Sequence, residues 1–309
     1  RLAPPLSPEA VVRRPIACTA LFLAIVSLGG CRSLPVATGS DAPPVATAGS
    51  TPGADDNLNA VLWMQRSAEY RAATETLYRA ATERLDAALK DPDWDALVPD
   101  ERASPARGLP PAVVMDIDET VLDNSPYQAR LVREGREYNE ATWDAWVREE
   151  KAKPVPGVVV FAQAAQAKGV TVIYISNRAE HLIAPTLANL RAVGLPVKDD
   201  SVFLGLGTFV ADCEQEGSEK LCRRQLAGRR YRVLMQFGDQ LGDFVQILAN
   251  TPEAREALQA EHRGWFGERW WMLPNPTYGS WEPAVFGNDW RQPREQRRAL
   301  KRESLDVSN

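Results

Sequence analysis

The sequence predicts an α/β fold, a parallel sheet with helices on both faces. Two observations predict it. Short apolar runs rich in β-branched residues alternate with segments whose apolar residues recur at helical spacing. Three of those short runs end in clusters of reactive side chains, as expected where ligands bind beyond the carboxyl ends of parallel strands.

Taken in order, a helix is expected over 57–90, where Leu58, Leu62, Tyr70, Leu77, Ala81, Leu85 and Ala88 recur at roughly helical spacing. A Pro-containing stretch over 91–111 ends it. Val113-Val114-Met115 reads as a strand, 125–151 as a helix, and 158–168 as another after the Pro156-Gly157 break. The β-branched run over 170–175 is a strong strand. A helix over 185–193, a strand over 202–204, a helix over 220–227, a strand over 233–237, a helix over 242–249 and a strand over 270–273 follow. The charged tail over 291–309 is expected to fray.

The first residues read as a leader. Arg13 and Arg14 precede an apolar stretch from Ile16 to Leu28, too short to span a bilayer, which takes roughly 20 residues, and of the length of a signal-peptide core. Leu28-Gly29-Gly30-Cys31 resembles the lipobox of bacterial lipoproteins, which implies a lipid on Cys31, anchorage in the cell envelope and an outer-membrane location. The alternative is a plain secretory signal with Cys31 incidental. Residues 32–56, rich in Pro, Gly, Ala, Ser and Thr, cannot bury a core and read as a flexible tether. The expected organisation is therefore a leader over 1–31, a tether over 32–56, one domain over 57–290 and a tail over 291–309.

A formal net charge of -5 argues against a basic face for a nucleic-acid polymer and for a small substrate. Four cysteines and two histidines are too few for a Cys/His zinc cluster of the usual spacing. Cys213 and Cys222, in a chain expected to be exported, are either a disulfide or two free thiols. His181 reads as a surface residue, and the Arg-His-Gly arrangement of histidine acid phosphatases is absent.

The strand ends carry the chemistry. The first runs into Asp116-Ile117-Asp118-Glu119-Thr120, the second ends in Ser176-Asn177-Arg178, and the third in Gly238-Asp239 followed by Asp243. Lys220 stands at the predicted start of the helix before the third. Phosphate-ester cleavage needs a nucleophile, a metal to neutralise phosphoryl oxygens, a cation and donors for the remaining oxygens, and an acid for the leaving alkoxide. These residues supply each part.

The DxDxT run resembles the first motif of the haloacid-dehalogenase (HAD) superfamily. The longer stretch through Asn124-Ser125-Pro126-Tyr127-Gln128, with Phe237 to Phe244 and Pro274-Asn275-Pro276-Thr277-Tyr278-Gly279, resembles the class C bacterial acid phosphatases. The resemblance implies a HAD-type sheet, a helical insertion or cap after the first motif, and Mg²⁺-dependent hydrolysis of 5′-nucleotides and aryl phosphates, with an acidic optimum. It implies Asp116 as nucleophile and metal ligand, and Asp118 as general acid/base that also offers its main-chain carbonyl to the metal. Ser176 would bind the phosphoryl group, Lys220 would be the active-site lysine (Lys198 is the alternative), and Asp239 and Asp243 would serve the metal. Gln240 departs from the Asn the family often has there. Asn177 and Arg178 are candidates for substrate contact, although Arg178 could equally pair with an acid. Tyr127, Trp143, Trp146 and Tyr278 are candidates for an aromatic wall against the substrate or for a hydrophobic seam. A HAD phosphatase with one dedicated substrate, or a non-catalytic binding protein on this fold, are the competing readings. No oligomeric state is implied.

Overall fold

The computed structural model describes residues 56–308, so the expected leader, its Cys31 and nearly all of the tether lie outside the described residues. Helices α1 (Leu58–Arg66) and α2 (Ala68–Lys90) come first. The single helix expected over 57–90 is two, because Ser67 is extended and its hydroxyl accepts from the Tyr70 N–H at 3.0 Å, an N-cap in mid-segment. Strand β1 (Pro111–Met115) follows, then β2 (Leu122–Asp123), α3 (Ser125–Glu134), α4 (Glu140–Arg148) and β3 (Lys153–Pro154). Next come α5 (Val158–Ala167), β4 (Thr171–Ala179), α6 (Ile183–Ala192), β5 (Phe203–Leu206), α7 (Leu221–Arg230) and β6 (Arg232–Gly238). The described chain ends with α8 (Pro252–Glu261), β7 (Trp270–Met272), α9 (Trp281–Ala284) and α10 (Arg294–Glu303).

The main sheet has the order β5-β4-β1-β6-β7, and every neighbouring pair is parallel. Side chains alternate across β6, so the two faces can be read from adjacent residues. Phe237 packs between Tyr78 of α2 and Phe161 of α5, with ring centroids at 5.6 and 4.5 Å. Gln236, pointing the other way, donates to the carbonyl of Ala96 at 2.7 Å. That second face is closed by the segment through Ala96 and Leu97 and by α7, whose Gly228 approaches Leu97 so closely that a Cβ would meet its Cδ1 at 2.6 Å. Helices therefore flank the parallel sheet, as the alternating pattern predicts.

Further elements depart from the sequence reading. The helix expected over 125–151 breaks at Gly135, which takes the left-handed conformation (φ 65°) that ends α3, before Asn139 caps α4 through the Thr142 N–H at 3.0 Å. The helix expected over 242–249 is only a short turn at Leu241–Asp243, and Leu248 is exposed. The helix forms later, as α8, capped by Thr251 with Pro252 in its first turn. The tail expected to fray contains α10, whose Arg297 is buried and bonded to Glu137, while Lys301 meets Glu282 at 2.7 Å. In α1, Val61 and Met64 are buried and Leu58 and Leu62 are exposed, the reverse of the face the apolar count suggested.

The insertion after the first motif is α3 and α4, and its two ends are clamped by the antiparallel pair β2–β3. Asn189 of α6 reinforces the clamp, donating to the Ala152 carbonyl at 2.9 Å and accepting from its N–H at 3.2 Å. No helix among the described residues is long and apolar enough to cross a membrane.

Candidate active site

The site forms where β1, β4 and β6 end. The Asp116 N–H donates to the Phe237 carbonyl at 2.9 Å, which extends the β1–β6 ladder one step and fixes Asp116 beside Gly238 and Asp239. Beyond it the chain turns sharply. The N–H groups of Val121 and Leu122 both reach the Ile117 carbonyl, at 2.9 and 2.8 Å, and Glu119 takes a left-handed conformation (φ 60°). The phenol of Tyr78 in α2 props this turn by donating to the Thr120 carbonyl at 2.8 Å.

Carboxylate oxygens of Asp116, Asp239 and Asp243 lie within 4.8 Å of one another, and all three residues are buried. Lys220, also buried, caps α7 and places its ammonium against Asp116 and 2.6 Å from Asp243 Oδ1. Gly238 is required here, because a Cβ at that position would meet the Asp243 Cβ at 2.3 Å. Asp243 in turn accepts from the Gln240 N–H at 2.8 Å. Asp239 Oδ2 accepts from Gln240 Nε2 and from Asn275 Nδ2, each at 2.7 Å.

The electrostatics follow from burial and crowding. Burial pushes the Asp116 carboxyl well above its ordinary range, Lys220 pulls against that, and Asp243 and Asp239 add to it. Burial and Asp243 together raise Asp239 to about 7, against the pull of its two amide donors. Burial alone would pull Lys220 down, but Asp116 and Asp243 outweigh it and hold the ammonium above its usual value. Three carboxylates thus share one ammonium. A set of hard oxygen donors with surplus negative charge fits a hard divalent cation.

Asp118 points elsewhere. Its Oδ1 accepts from Arg178 Nε at 3.0 Å, Arg178 Nη2 at 2.8 Å and Asn124 Nδ2 at 2.9 Å. Its Oδ2 faces the Ser176 hydroxyl at 3.4 Å. Arg178 is buried and also donates to Thr186 Oγ1 at 3.2 Å, so of its two expected roles the structure gives the acid-paired one. Asn177 is exposed and accepts from Arg223 Nη2 at 2.7 Å.

Of the four aromatic candidates, two are interior. Trp146 is buried in the main core and donates to Asn124 Oδ1 at 2.8 Å. Tyr127 is buried, with its hydroxyl 3.0 Å from Thr142 Oγ1 and its ring 5.2 Å from that of Trp143. Both belong to a seam and not to a substrate wall. Trp143 is half-buried with the Arg178 guanidinium 5.5 Å over its ring, and half-buried Tyr278 donates to Glu119. Exposed Lys198 lies with Gly169 and Thr171 at the amino end of β4, away from the carboxylates. Cys213 and Cys222 form a disulfide.

Residues 27–281 match the family described as HAD superfamily, subfamily IIIB (acid phosphatase). The chain belongs to this family. It is similar to two structures of the class C acid phosphatase from Bacillus anthracis. One is 30% identical at TM-score 0.71, and the other, with tungstate bound, is 32% identical at TM-score 0.70. Each match covers 82% of this chain and 98% of the other. The five-stranded parallel sheet flanked by helices is the class C acid phosphatase fold, and the protein is a phosphomonoester hydrolase acting on small phosphomonoesters.

Sequence reasoning passed over several residues of this acid phosphatase site. Glu119 and Asn124 lie inside the first motif, yet neither drew a role. Glu119 accepts from the Asn124 N–H at 2.7 Å and from Tyr278, and so ties the first motif to the loop that carries Asn275. Arg223 is fully buried and donates to the carbonyls of Ser176 at 2.6 Å and of Ser218 and Glu219 at 3.0 Å. Its spacing three residues after Lys220 was the available signal.

Proposed function

We propose that the protein is a Mg²⁺-dependent acid phosphatase that hydrolyses 5′-nucleotides and aryl phosphates through a phosphorylated Asp116. The observation that carries this reading is the Lys220 ammonium between Asp116 and Asp243, with Asp239 beside them. Asp116, Asp239 and Asp243, with the main-chain carbonyl of Asp118, would hold the cation. When bound, it neutralises charge on the phosphoryl oxygens.

Asp116 attacks phosphorus as the ester oxygen leaves, forming an aspartyl-phosphate. Asp118 gives the proton that the leaving alkoxide needs. Three donors occupy its Oδ1, so Oδ2 is the oxygen left for proton transfer. Asp118 then takes a proton from water, which attacks the aspartyl-phosphate, frees phosphate and restores Asp116. Lys220 and the Ser176 hydroxyl bind phosphoryl oxygens, and Arg178 orients Asp118. Tungstate, bound to the Bacillus anthracis enzyme, is an oxyanion of the kind such a pocket accepts. Trp143 and Tyr278 are the aromatic groups left for the leaving group. We further propose that Cys31 carries a lipid that holds the enzyme in the cell envelope, at the outer membrane.

The test is phosphate release from a panel of nucleotides, aryl phosphates and sugar phosphates, with and without EDTA, for the wild type and Asp116→Asn. Turnover of the first two classes that EDTA abolishes, with no turnover by the folded variant, is expected. Full activity of the metal-free enzyme or of Asp116→Asn would overturn the reading.

A further inference from the structure

The segment 207–219, between β5 and α7, contains no regular secondary structure and leads directly into Lys220. Little of it is anchored by packing. Val210 is buried, but neighbouring Phe209 is 87% exposed. The Ala211 carbonyl accepts from Arg229 at 2.8 Å. Asp212 holds a left-handed conformation (φ 59°), which Asp adopts more readily than most residues, and it turns the chain into Cys213. The next residue, Cys213, is cross-linked to Cys222 in the first turn of α7.

Lys220 sits at the join. Downstream, its carbonyl accepts from the Arg224 N–H at 2.9 Å and starts the helix. Upstream, the chain is held to that same helix turn. Arg223 grips the Ser218 and Glu219 carbonyls, and the disulfide closes the loop around them. Arg223 also binds the Ser176 carbonyl and Asn177 Oδ1, so the clip extends to the end of β4.

We propose that the Cys213–Cys222 disulfide is a positioning device for Lys220, and that its reduction slows phosphoryl transfer while the fold persists. The reaction is a two-electron exchange. A dithiol such as dithiothreitol attacks one sulfur, the S–S bond breaks, both cysteines leave as thiols, and the reagent departs as its cyclic disulfide with its two protons passed to the cysteines. Without the cross-link, the 207–219 segment regains conformational freedom at its Cys213 end. The Lys220 main chain then loses its covalent upstream restraint and keeps only hydrogen bonds, from Arg223 to Ser218 and Glu219 and from Gln215 to the Glu219 carbonyl. An ammonium displaced by about 1 Å from a developing charge is enough to cost on the order of 10²-fold in rate. Substrate capture has other contributors, so the loss falls on kcat more than on KM.

This inference rests on the proposed role of Lys220, and the experiment separates the two. The full-length oxidised protein, the same protein reduced with dithiothreitol, Cys213→Ser/Cys222→Ser, and Lys220→Met are compared on p-nitrophenyl phosphate. Free thiols are counted, and folding is followed by circular dichroism. The expected result is a folded reduced enzyme whose kcat falls about tenfold or more with little change in KM. The double variant should match it, reoxidation should restore the rate, and the residual activity of Lys220→Met should not respond to reduction. Hydrogen exchange should quicken in 207–221 and not in the central strands. An unchanged kcat in the folded, reduced enzyme overturns the proposal, because the hydrogen bonds around Ser218 and Glu219 would then suffice. Global unfolding on reduction overturns it too, since the cross-link would then hold the whole fold. Near-wild-type activity of Lys220→Met would instead refute the role of the lysine itself.

Discussion

Replacing Lys220 with Met removes the one ammonium in the carboxylate cluster while keeping a side chain of similar length. The ammonium touches Asp116 and lies 2.6 Å from Asp243, both buried. At an effective dielectric of about 20, a unit charge roughly 4 Å from an ammonium interacts with it by about 4 kcal/mol. Only the share gained as charge develops in the transition state changes kcat. The loss of a single preorganised oxyanion donor, about 2.7–4 kcal/mol, sets the scale. At about 1.4 kcal/mol per tenfold, kcat should fall by about 10²–10³. Breaking a buried ion pair destabilises by about 3–5 kcal/mol, but the Asp116 carboxyl, already pushed upward by burial, can take a proton and offset part of that. The variant should therefore fold at reduced temperature, which circular dichroism checks before kinetics. Lys198→Met is the control and should leave kcat unchanged, since Lys198 is exposed at the opposite end of β4. A folded Lys220→Met enzyme within about threefold of wild-type kcat would refute the reasoning, because a charge held this close cannot be idle in a reaction it faces.

Arg178→Ala should lower kcat strongly with little change in KM, because it strips two of the three donors from Asp118 Oδ1 and leaves Thr186 and Trp143 without their cation. A large rise in KM with kcat unchanged would show instead that Arg178 binds substrate. The metal-free protein should lose stability as pH rises from about 4 to about 7. Asp239 has a folded pKa near 7, above its unfolded value of 3.8, so the folded state holds the extra proton in that window and its stabilisation disappears above it. Thermal melts should therefore fall through that range and recover on adding Mg²⁺, most at the upper end. A melting temperature that rises through the same range without metal would contradict this. Labelled palmitate should enter the full-length protein in a bacterial host and be absent from Cys31→Ser, and an unlabelled wild type would refute lipidation.

What the sequence showed and what it hid divide along physical lines. The strands were legible because β-branched runs such as 170–175 are short and bounded, and the aspartates were legible because they follow such runs directly. Helix α8 was not, since none of its residues is buried and no apolar period marks it. The break at Gly135 was overridden by helical residues on both sides, although its left-handed conformation is what turns the insertion back. Trp143 and Trp146 share a helix face at i and i+3, but only Trp146 is fully buried and bonds Asn124, while Trp143 packs half-buried against the core, a distinction that depends on how α4 is rolled against the sheet. Which acid Arg178 would meet, and whether Cys213 meets Cys222, are tertiary facts with no local signal.

The two aspartates of the first motif, separated by one residue, end in opposite electrostatic surroundings. Asp118 has a private cation, Arg178, whose planar fork covers Oδ1 and whose charge is spent on that carboxylate. Asp116 shares Lys220 with Asp243 and neighbours Asp239, so three carboxylates against one ammonium leave two negative charges when all are ionised. A divalent cation would balance that remainder, and nothing comparable is needed around Asp118. The left-handed turn at Glu119 separates the two settings, and the bonds of Glu119 to Asn124 and Tyr278 hold it. Pairs of carboxyl groups whose surroundings differ in this way take different tasks. On the proposed mechanism, metal-side nucleophilic chemistry would suit Asp116, and proton exchange through Oδ2, which meets only the Ser176 hydroxyl, would suit Asp118. Exchanging the two settings, by giving Asp116 an arginine and taking Arg178 from Asp118, should lower kcat more than either change alone, because it removes the asymmetry on which the division of labour depends.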